Sequence, residues 1–459
     1  MISPTPETEA RVGRLAALRA RYEVQLAGLR SSDIAKAGGL AGAMIANNVI
    51  ALGSTVVFAR ELSDYGALAA LISYFLILGV AGQALQVATA REGVLGHLGV
   101  GHGLLATLRA WARTMAWFTA ALTVISILLR QPIASAVGVK HDPWAAAVGL
   151  PAGCLWLELS ILRGALQGVG DYKAVGLSLI GEQGTRLIVG AAVAGALSGT
   201  GQAVLGAYLG TPVSFIAMGL YCTAHLRKYA RQADPRPAEE APAAALSLWT
   251  HVRRAWAPIA GLVVIAVLQN IDIIAAKHRF NGVTDLASSY AATAVAAKVL
   301  IWVAIGAGFY LVPEVSRRRS EGLDTRPVLG RALAIIGVCA VPVLLIFAFG
   351  AHPLIQAAFG HNRTRAQGSL LILGVAFTAL ACTYLAIQYM LALKRTGFLI
   401  LLGAVAVAEP ILLLQASRKP SGFAAVVLAV QAVGAVLAFA MALRRDSAPP
   451  ATAVSPEPA

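Results

Sequence analysis

Six charged residues lie inside apolar segments of the sequence that are long enough to cross a bilayer. They are Glu158, Glu182, Arg186, Asp272, Lys298 and Glu409. A charge at the centre of a spanning helix costs about 2.5–3.5 kcal/mol on insertion scales, so each of them requires an explanation. Arginine and lysine side chains can bind phosphate, and a carboxylate can pair with them or bind a proton. The sequence therefore indicates recognition of charged groups at membrane depth.

The spacing of these residues predicts two ion pairs. Glu182 and Arg186 are four residues apart and can pair on one helix face. Such a pair is either a neutral structural feature, or it positions the Arg186 side chain to bind phosphate, with Glu182 holding the guanidinium group in place. Lys298 can pair with Asp272 on the preceding helix, either as a structural link or as a switch that protonation of Asp272 releases.

Two further carboxylates have local explanations as well as functional ones. Glu409 directly precedes Pro410, and a carboxylate beside a proline bend is either a proton site or is satisfied by the loosened helix. Glu158 lies near one end of its segment, where we expect a structural pair with Arg163.

Four amide side chains accompany the charges. Asn47 and Asn48 lie in the first apolar segment, where they either line a cavity or bond to neighbouring helices. Gln269 and Asn270 form a polar cluster with Asp272 that suits a water-filled cavity better than lipid.

The composition shows what positions these residues. The 459 residues are 58% hydrophobic and 13% charged, with a mean hydropathy of +0.72, whereas a soluble domain carries about 25% charged residues. This excludes a soluble enzyme, a disordered chain and an ordinary nucleic-acid-binding protein. A helix needs about 20 apolar residues to cross the bilayer, and the sequence predicts an all-α integral membrane protein with twelve such segments: 38–59, 65–88, 111–130, 144–163, 174–196, 201–223, 253–276, 288–313, 330–350, 367–390, 397–416 and 421–443.

The longest polar interruption, 224–252, divides the chain into halves of six helices at 38–223 and 253–443. Residues 1–37 are predicted to form a basic amphipathic segment that lies on the membrane surface or, alternatively, packs as a helix against a cytoplasmic partner. Residues 444–459 are predicted to form a disordered tail. A parallel repeat with an offset of 225 residues relates the two halves.

The basic residues predict the orientation. With both termini in the cytoplasm, 26 of the 37 Lys and Arg residues, Arg163 among them, fall on the cytoplasmic side and nine on the other. The loops are too short for a catalytic domain, and the eight histidines lack metal-site spacing. We therefore expect no enzymatic activity, catalytic residue, metal or cofactor.

Several short motifs resemble a known family: Leu162-Arg163-Gly164-Ala165-Leu166-Gln167-Gly168, Gly170-Asp171-Tyr172, Glu182 with Arg186, Asp272 followed by Ser289-Tyr290-Ala291-Ala292 and Lys298, and Pro313-Glu314-Val315-Ser316. Together with the six-plus-six layout, they resemble Wzx-type flippases of the multidrug/oligosaccharidyl-lipid/polysaccharide exporter superfamily. The resemblance covers residues 38–443. It implies two six-helix lobes around a central cavity that opens to each side of a bacterial inner membrane in turn.

The resemblance also implies a cargo, a polyprenyl-pyrophosphate-linked glycan flipped from the cytoplasmic to the outer leaflet. Arg186 and Lys298 would then hold phosphates, and the amides at 47, 48, 269 and 270 would hold sugar hydroxyls. Asp272, with Glu182 and Glu409, would couple transport to an ion. The expected partners are this lipid-linked glycan, membrane lipid and glycan-assembly proteins, with no nucleic acid.

Three alternatives stay open. A cation-coupled multidrug antiporter of the same superfamily usually carries a carboxylate in its first span, where this chain has Asn47 and Asn48. A peptidoglycan-precursor flippase typically has several cavity arginines and often more than twelve spans. A non-transporting scaffold of a glycan-assembly complex would have less reason to retain six charges at membrane depth.

Overall fold

The computed structural model describes four stretches of the chain: 33–232, 248–254, 256–280 and 284–444. Within these stretches the regular structure is helical, and no strand is present. The predictions of a basic amphipathic segment, of most of the polar linker and of a disordered tail fall on residues outside the described ones.

The described residues form fifteen α-helices. In chain order they are α1 (Asp33–Glu61), α2 (Tyr65–Val94), α3 (His102–Leu128), α4 (Arg130–Val137), α5 (Pro143–Gly168), α6 (Tyr172–Leu197), α7 (Ala203–Gln232), α8 (Leu248–Arg254), α9 (Trp256–Arg279), α10 (Thr284–Ala297), α11 (Val299–Ser320), α12 (Arg326–Phe359), α13 (Leu370–Ala392), α14 (Phe398–Gln415) and α15 (Pro420–Ala442). Short 3-10 helices cover Ser198–Thr200 and His361–Ser369.

The predicted all-α membrane fold is confirmed. Eleven helical segments of the described chain are long and apolar enough to cross a membrane. Helix α6 is not among them, although its 26 residues are long enough, because Glu182, Gln183 and Arg186 lower its hydropathy. Each of the twelve predicted segments coincides with a helix or a helix pair, and the chain is a multi-pass membrane protein.

The eighth predicted segment is a broken helix. Helix α10 ends at Ala297 and α11 begins at Val299, with Lys298 between them at φ −75° and ψ 0°. The Lys298 N–H still donates to Ala294 O (3.1 Å), so the turn remains hydrogen-bonded through the break. Such breaks at membrane depth are tolerated where protein surrounds them, and Lys298 is buried.

The chain forms two compact units. The first contains the described residues of Met1–Glu61, Ala81–Ile133 and Asp142–Ala255, and the second contains those of Leu62–Val80, Ala134–His141 and Trp256–Ala459. The boundary at 255–256 falls just after the predicted linker. The predicted lobes at 38–223 and 253–443 assign two short stretches, 62–80 and 134–141, to the first half, whereas contacts group these stretches with the second unit.

Glycines hold α6 and α7 close together in the first unit. A Cβ atom at Gly206 would lie 2.7 Å from Ala194 N, and one at Gly190 would lie 2.8 Å from Ala207 O. Lipid offers no hydrophobic drive for helix association, so close van der Waals packing between small residues supplies it. The small residues of the fifth and sixth predicted segments therefore serve helix–helix contact.

The second unit has a continuous apolar core contributed by α9 and by α11–α15. Leu311, Leu385, Phe398 and Leu402 are fully buried there. Every polar side chain placed among these residues must find its partner within the protein.

Candidate functional site

A buried arginine network joins α5 and α6 in the first unit. The Arg163 Nη1 atom lies 2.8 Å from Glu182 Oε2. Arg163 Nε donates to Ser178 Oγ and Nη2 donates to Ser178 O, each at 2.8 Å. Arg163 is fully buried and Glu182 is nearly so. The arginine thus compensates the charge of the carboxylate through one close contact, while its hydrogen bonds go to Ser178.

Two predicted ion pairs are corrected by this network. Glu182 pairs with Arg163 on the neighbouring helix and not with Arg186, because the Arg163 guanidinium reaches both the carboxylate and Ser178. The pair expected between Glu158 and Arg163 is also wrong, since residues five apart point about 140° away from each other around a helix. Arg163 therefore lies in the protein interior, and it is not one of the surface basic residues among which the orientation count placed it.

Arg186 is left without a local counter-ion. Its side chain is half-buried on α6 and makes no hydrogen bond or ion pair with any described residue. Glu182, one helical turn away, attracts it electrostatically, but that carboxylate already compensates Arg163. These three residues together carry one net positive charge, which is centred on Arg186.

The two asparagines lie on a helix that packs against α6. A Cβ atom at Gly190 would lie 2.9 Å from Phe58 on α1. Asn47 is half-buried, Asn48 is exposed, and Asn47 Nδ2 donates to Asn48 Oδ1 (3.3 Å). Their amide groups therefore retain free donor and acceptor capacity.

A second buried charge cluster lies within the second unit, where the predicted pair between Lys298 and Asp272 is present. Lys298 Nζ donates to Asp272 Oδ1 at 3.0 Å, and Tyr290 Oη donates to Asp272 Oδ2 at 3.4 Å. Lys298 Nζ also lies 5.0 Å from the centre of the Phe377 ring. Asp272 is fully buried, so its charge depends on these partners.

Glu409 belongs to the same cluster. It is fully buried and interacts electrostatically with both Asp272 and Lys298. Gln431 Nε2 donates to Glu409 Oε1 (3.0 Å) and to Leu268 O (2.9 Å). The other carboxylate oxygen, Oε2, has no hydrogen-bond partner among the described residues. The ammonium group of Lys298 contacts the Asp272 carboxylate, and Glu409 is a second buried carboxylate that makes no ion-pair contact among the described residues.

The amides of α9 are less available than predicted. Asn270 is buried, and its Nδ2 donates to Ala266 O of the same helix (3.0 Å). Gln269 is half-buried. No group of three or more metal-binding side chains occurs in the stretches that the structure describes.

The sequence interpretation missed three partners. Ser178 gave no signal, because hydroxyl side chains are common in membrane helices, and Tyr290 was noted only as part of a family motif and not as a partner of Asp272. Gln431 is a polar residue within a strongly apolar segment, and this isolation is a signal that could have identified it.

Comparison with known proteins gives structural likeness only. No family model matches the chain, and no curated protein matches it. A solved structure described as the lipid II flippase MurJ in an inward closed conformation has a TM-score of 0.66 and 14% identity, covering 88% of this chain and 87% of its own. An inward-facing multidrug resistance MATE family transporter of the MOP superfamily has a TM-score of 0.62 and 14% identity, covering 86% and 93%. The Vibrio cholerae MATE transporter VcmN in its bent form has a TM-score of 0.52 and 13% identity, covering 89% and 96%.

These likenesses define the class of fold. The chain has the fold of the MOP-superfamily transporters, whose members share a twelve-helix, two-lobe architecture. At 13–14% identity, what a neighbouring protein transports does not establish what this chain transports.

Proposed function

We propose that this chain is a flippase that moves a polyprenyl-pyrophosphate-linked glycan from the cytoplasmic to the outer leaflet by alternating access. In this proposal it lies in the bacterial inner membrane with both termini in the cytoplasm, as part of cell-surface polysaccharide export. The observation that carries the proposal is the half-buried Arg186, which has no ion-pair partner among the described residues because Arg163 holds Glu182. A guanidinium group held at membrane depth without a counter-ion is suited to binding a pyrophosphate.

The neighbouring amides fit the glycan part of such a cargo. Asn47 and Asn48 keep free hydrogen-bonding groups, and Gln269 is half-buried. Sugar hydroxyls both donate and accept hydrogen bonds, as amide side chains do. Asn270 is the least suited of the four predicted amides, because its donor is used within its own helix.

The cluster in the second unit supplies an ion-coupling device. Asp272, Lys298 and Glu409 carry a net charge of −1 when all three are ionised, and one bound proton makes the buried cluster neutral. When Glu409 holds that proton, Lys298 stays paired with Asp272. When Asp272 takes it, Lys298 is released and becomes available to phosphate, which provides two alternative packings of the helices. Glu182, held by Arg163, is the weakest of the three predicted coupling residues.

The second candidate is a cation-coupled multidrug antiporter, which the MATE neighbours support. The local charge disfavours it, since Arg186 would repel a cationic cargo and the first helix carries amides at positions 47 and 48.

The test measures lipid-linked glycans in cells depleted of the chain and complemented with variants, with sidedness probed from outside the cell. Arg186→Ala should leave the glycan-lipid in the cytoplasmic leaflet, and Arg186→Lys should restore part of the export. Lys173→Ala, which removes an exposed charge from the same helix, serves as the matched control and should export normally.

Two results would contradict the proposal. Normal export by Arg186→Ala at normal protein level would remove the cationic-site mechanism. Unchanged glycan-lipids on depletion would remove the flippase function itself, and efflux of a cationic dye would then test the antiporter.

A further inference from the structure

The end of α7 carries three basic residues that no carboxylate of the described chain compensates. Arg227, Lys228 and Arg231 are exposed, and they make no hydrogen bond or ion pair with any described residue. With Ala224 and Gln232 they line a cavity of about 420 Å³, and no described residue of its lining is acidic. This basic cluster plays no part in the function proposed above.

The end of α11 is also basic, but its charges are compensated within the protein. Arg317 pairs with Glu314 at 2.9 Å and with Glu321 at 3.0 Å. Arg318 pairs with Glu314 at 2.9 Å. A basic helix end in this chain can therefore be neutralised by its own carboxylates, whereas the basic cluster of α7 is not.

The basic cluster continues an exposed aliphatic face of α7. Val213, Ile216 and Leu220 are 40%, 50% and 68% exposed. Their spacing of three and four residues places them on one side of the helix, and Arg227 and Arg231 follow on the same side, seven and eleven residues after Leu220. The two arginines are four residues apart, where like charges repel each other. An anion bound between them removes that repulsion.

The aliphatic face is suited to contact with lipid chains. The opposite side of the same stretch packs inside the protein, where Phe215, Cys222 and Leu226 are buried. A water-filled cavity at membrane depth is lined by polar groups, whereas the three exposed side chains of this face are all aliphatic. We therefore take the face to be covered by acyl chains.

The length of α7 places the basic cluster at the depth of the lipid headgroups. The helix has 30 residues and is about 45 Å long, whereas the hydrocarbon core of a bilayer is about 30 Å thick. Its last turns, which carry the basic cluster, therefore extend beyond the hydrocarbon. The phosphate groups of phospholipids lie at this depth.

We propose that this side of α7 binds one anionic phospholipid. The lipid phosphate accepts hydrogen bonds from Arg227 and Arg231, Lys228 adds a third positive charge, and an acyl chain lies along the aliphatic face. Guanidinium groups suit phosphate oxygens because their N–H donors are arranged in a planar fork. A zwitterionic lipid brings its own cation and leaves the cluster uncompensated, so the headgroup that fits carries a net negative charge. The proposal is independent of the glycan cargo.

The experiment titrates the full chain, purified in detergent, with phosphatidylglycerol and counts bound lipids by native mass spectrometry. Arg227→Gln combined with Arg231→Gln should weaken binding of the tightest phosphatidylglycerol roughly thirtyfold, because each basic residue strengthens attachment to anionic lipid about fivefold. Arg317→Gln removes an exposed arginine that has its own carboxylates, and it should bind as the wild type does. Phosphatidylcholine should bind all three proteins equally weakly.

Glycerophosphoglycerol distinguishes a lipid from a free phosphate compound, because it has the same headgroup without acyl chains. It should displace phosphatidylglycerol only at a large excess. Displacement at equal concentration would overturn the lipid as the occupant and assign the cluster to a soluble phosphate compound.

A second measurement uses only the wild type, so it does not depend on the folding of a variant. In nanodiscs, phosphatidylglycerol with a photoreactive headgroup should cross-link to residues 224–232, as located by peptide mass spectrometry, and unlabelled phosphatidylglycerol should suppress the cross-link more than phosphatidylcholine does. Equal phosphatidylglycerol binding by the wild type and the double variant, or cross-links that avoid 224–232, overturns the proposal. None of these measurements involves the glycan, so they fail or succeed separately from the flippase assay.

Discussion

Replacing Arg163 by methionine tests the network on which the availability of Arg186 depends. The substitution keeps an unbranched side chain of similar bulk but removes the charge that faces Glu182 at 2.8 Å and both hydrogen bonds to Ser178. Removing one partner of a buried ion pair costs about 3–5 kcal/mol, because the other charge stays buried without compensation. For a unit of this size, that loss lowers the unfolding temperature by about 10 °C.

A double-mutant cycle assigns the cost to the right pair. Arg163→Met combined with Glu182→Gln should recover a large part of the stability, with a coupling free energy of about 1.5–3 kcal/mol. The corresponding cycle between Arg186→Met and Glu182→Gln should give a coupling below about 0.5 kcal/mol. Thermal unfolding of the purified protein in detergent, followed by intrinsic fluorescence, measures each variant.

A larger coupling for the Arg186 cycle than for the Arg163 cycle would refute the reasoning. Arg186 would then be the true partner of Glu182, and the net positive charge assigned to Arg186 would be neutralised in place. The main support for an anionic cargo would be lost with it.

Two further predictions concern the second cluster and the helix packing. Asp272→Asn should lower the unfolding temperature by an amount similar to Arg163→Met, because it leaves Lys298 buried and unpaired. Adding Lys298→Met to this variant should restore its stability without restoring transport in the glycan-lipid assay. Gly206→Leu should lower the free energy of unfolding by about 1–3 kcal/mol or more, since even a Cβ atom meets the backbone of α6 at 2.7 Å. Gly184→Ala is the control, because a Cβ atom there meets nothing within 4 Å, and it should change the unfolding temperature by less than 2 °C. A melting curve in detergent measures both variants.

The fold could be predicted from the sequence because hydropathy over about 20 residues reports directly on membrane crossing. The pair between Asp272 and Lys298 could be predicted as well, since two unlike charges on adjacent spans have few other partners. The break at Lys298 could not be predicted, because no proline or glycine adjoins it to mark an interruption of the helix.

The partner of Glu182 could not be predicted for a different reason. Local spacing favoured Arg186, and a position near the end of an apolar segment placed Arg163 at the membrane surface. The helix that carries Arg163 continues to Gly168, which moves the arginine inside the protein. The meeting of Glu409 with Asp272 likewise joins residues more than 100 positions apart, and only the folded chain brings them together.

The composition of α6 has a consequence for how the protein enters the membrane. This helix is too polar to rank among the eleven apolar spans of the described chain, and its Glu182 forms its ion pair with Arg163 of the helix before it. A short connection, with Gly201 at φ +72°, joins it to the apolar α7. We therefore expect α6 and α7 to enter the membrane together as one helical hairpin, after α5 has been inserted. In a chain truncated between α6 and α7, α6 should fail to insert into the bilayer, and quality-control proteases should degrade it.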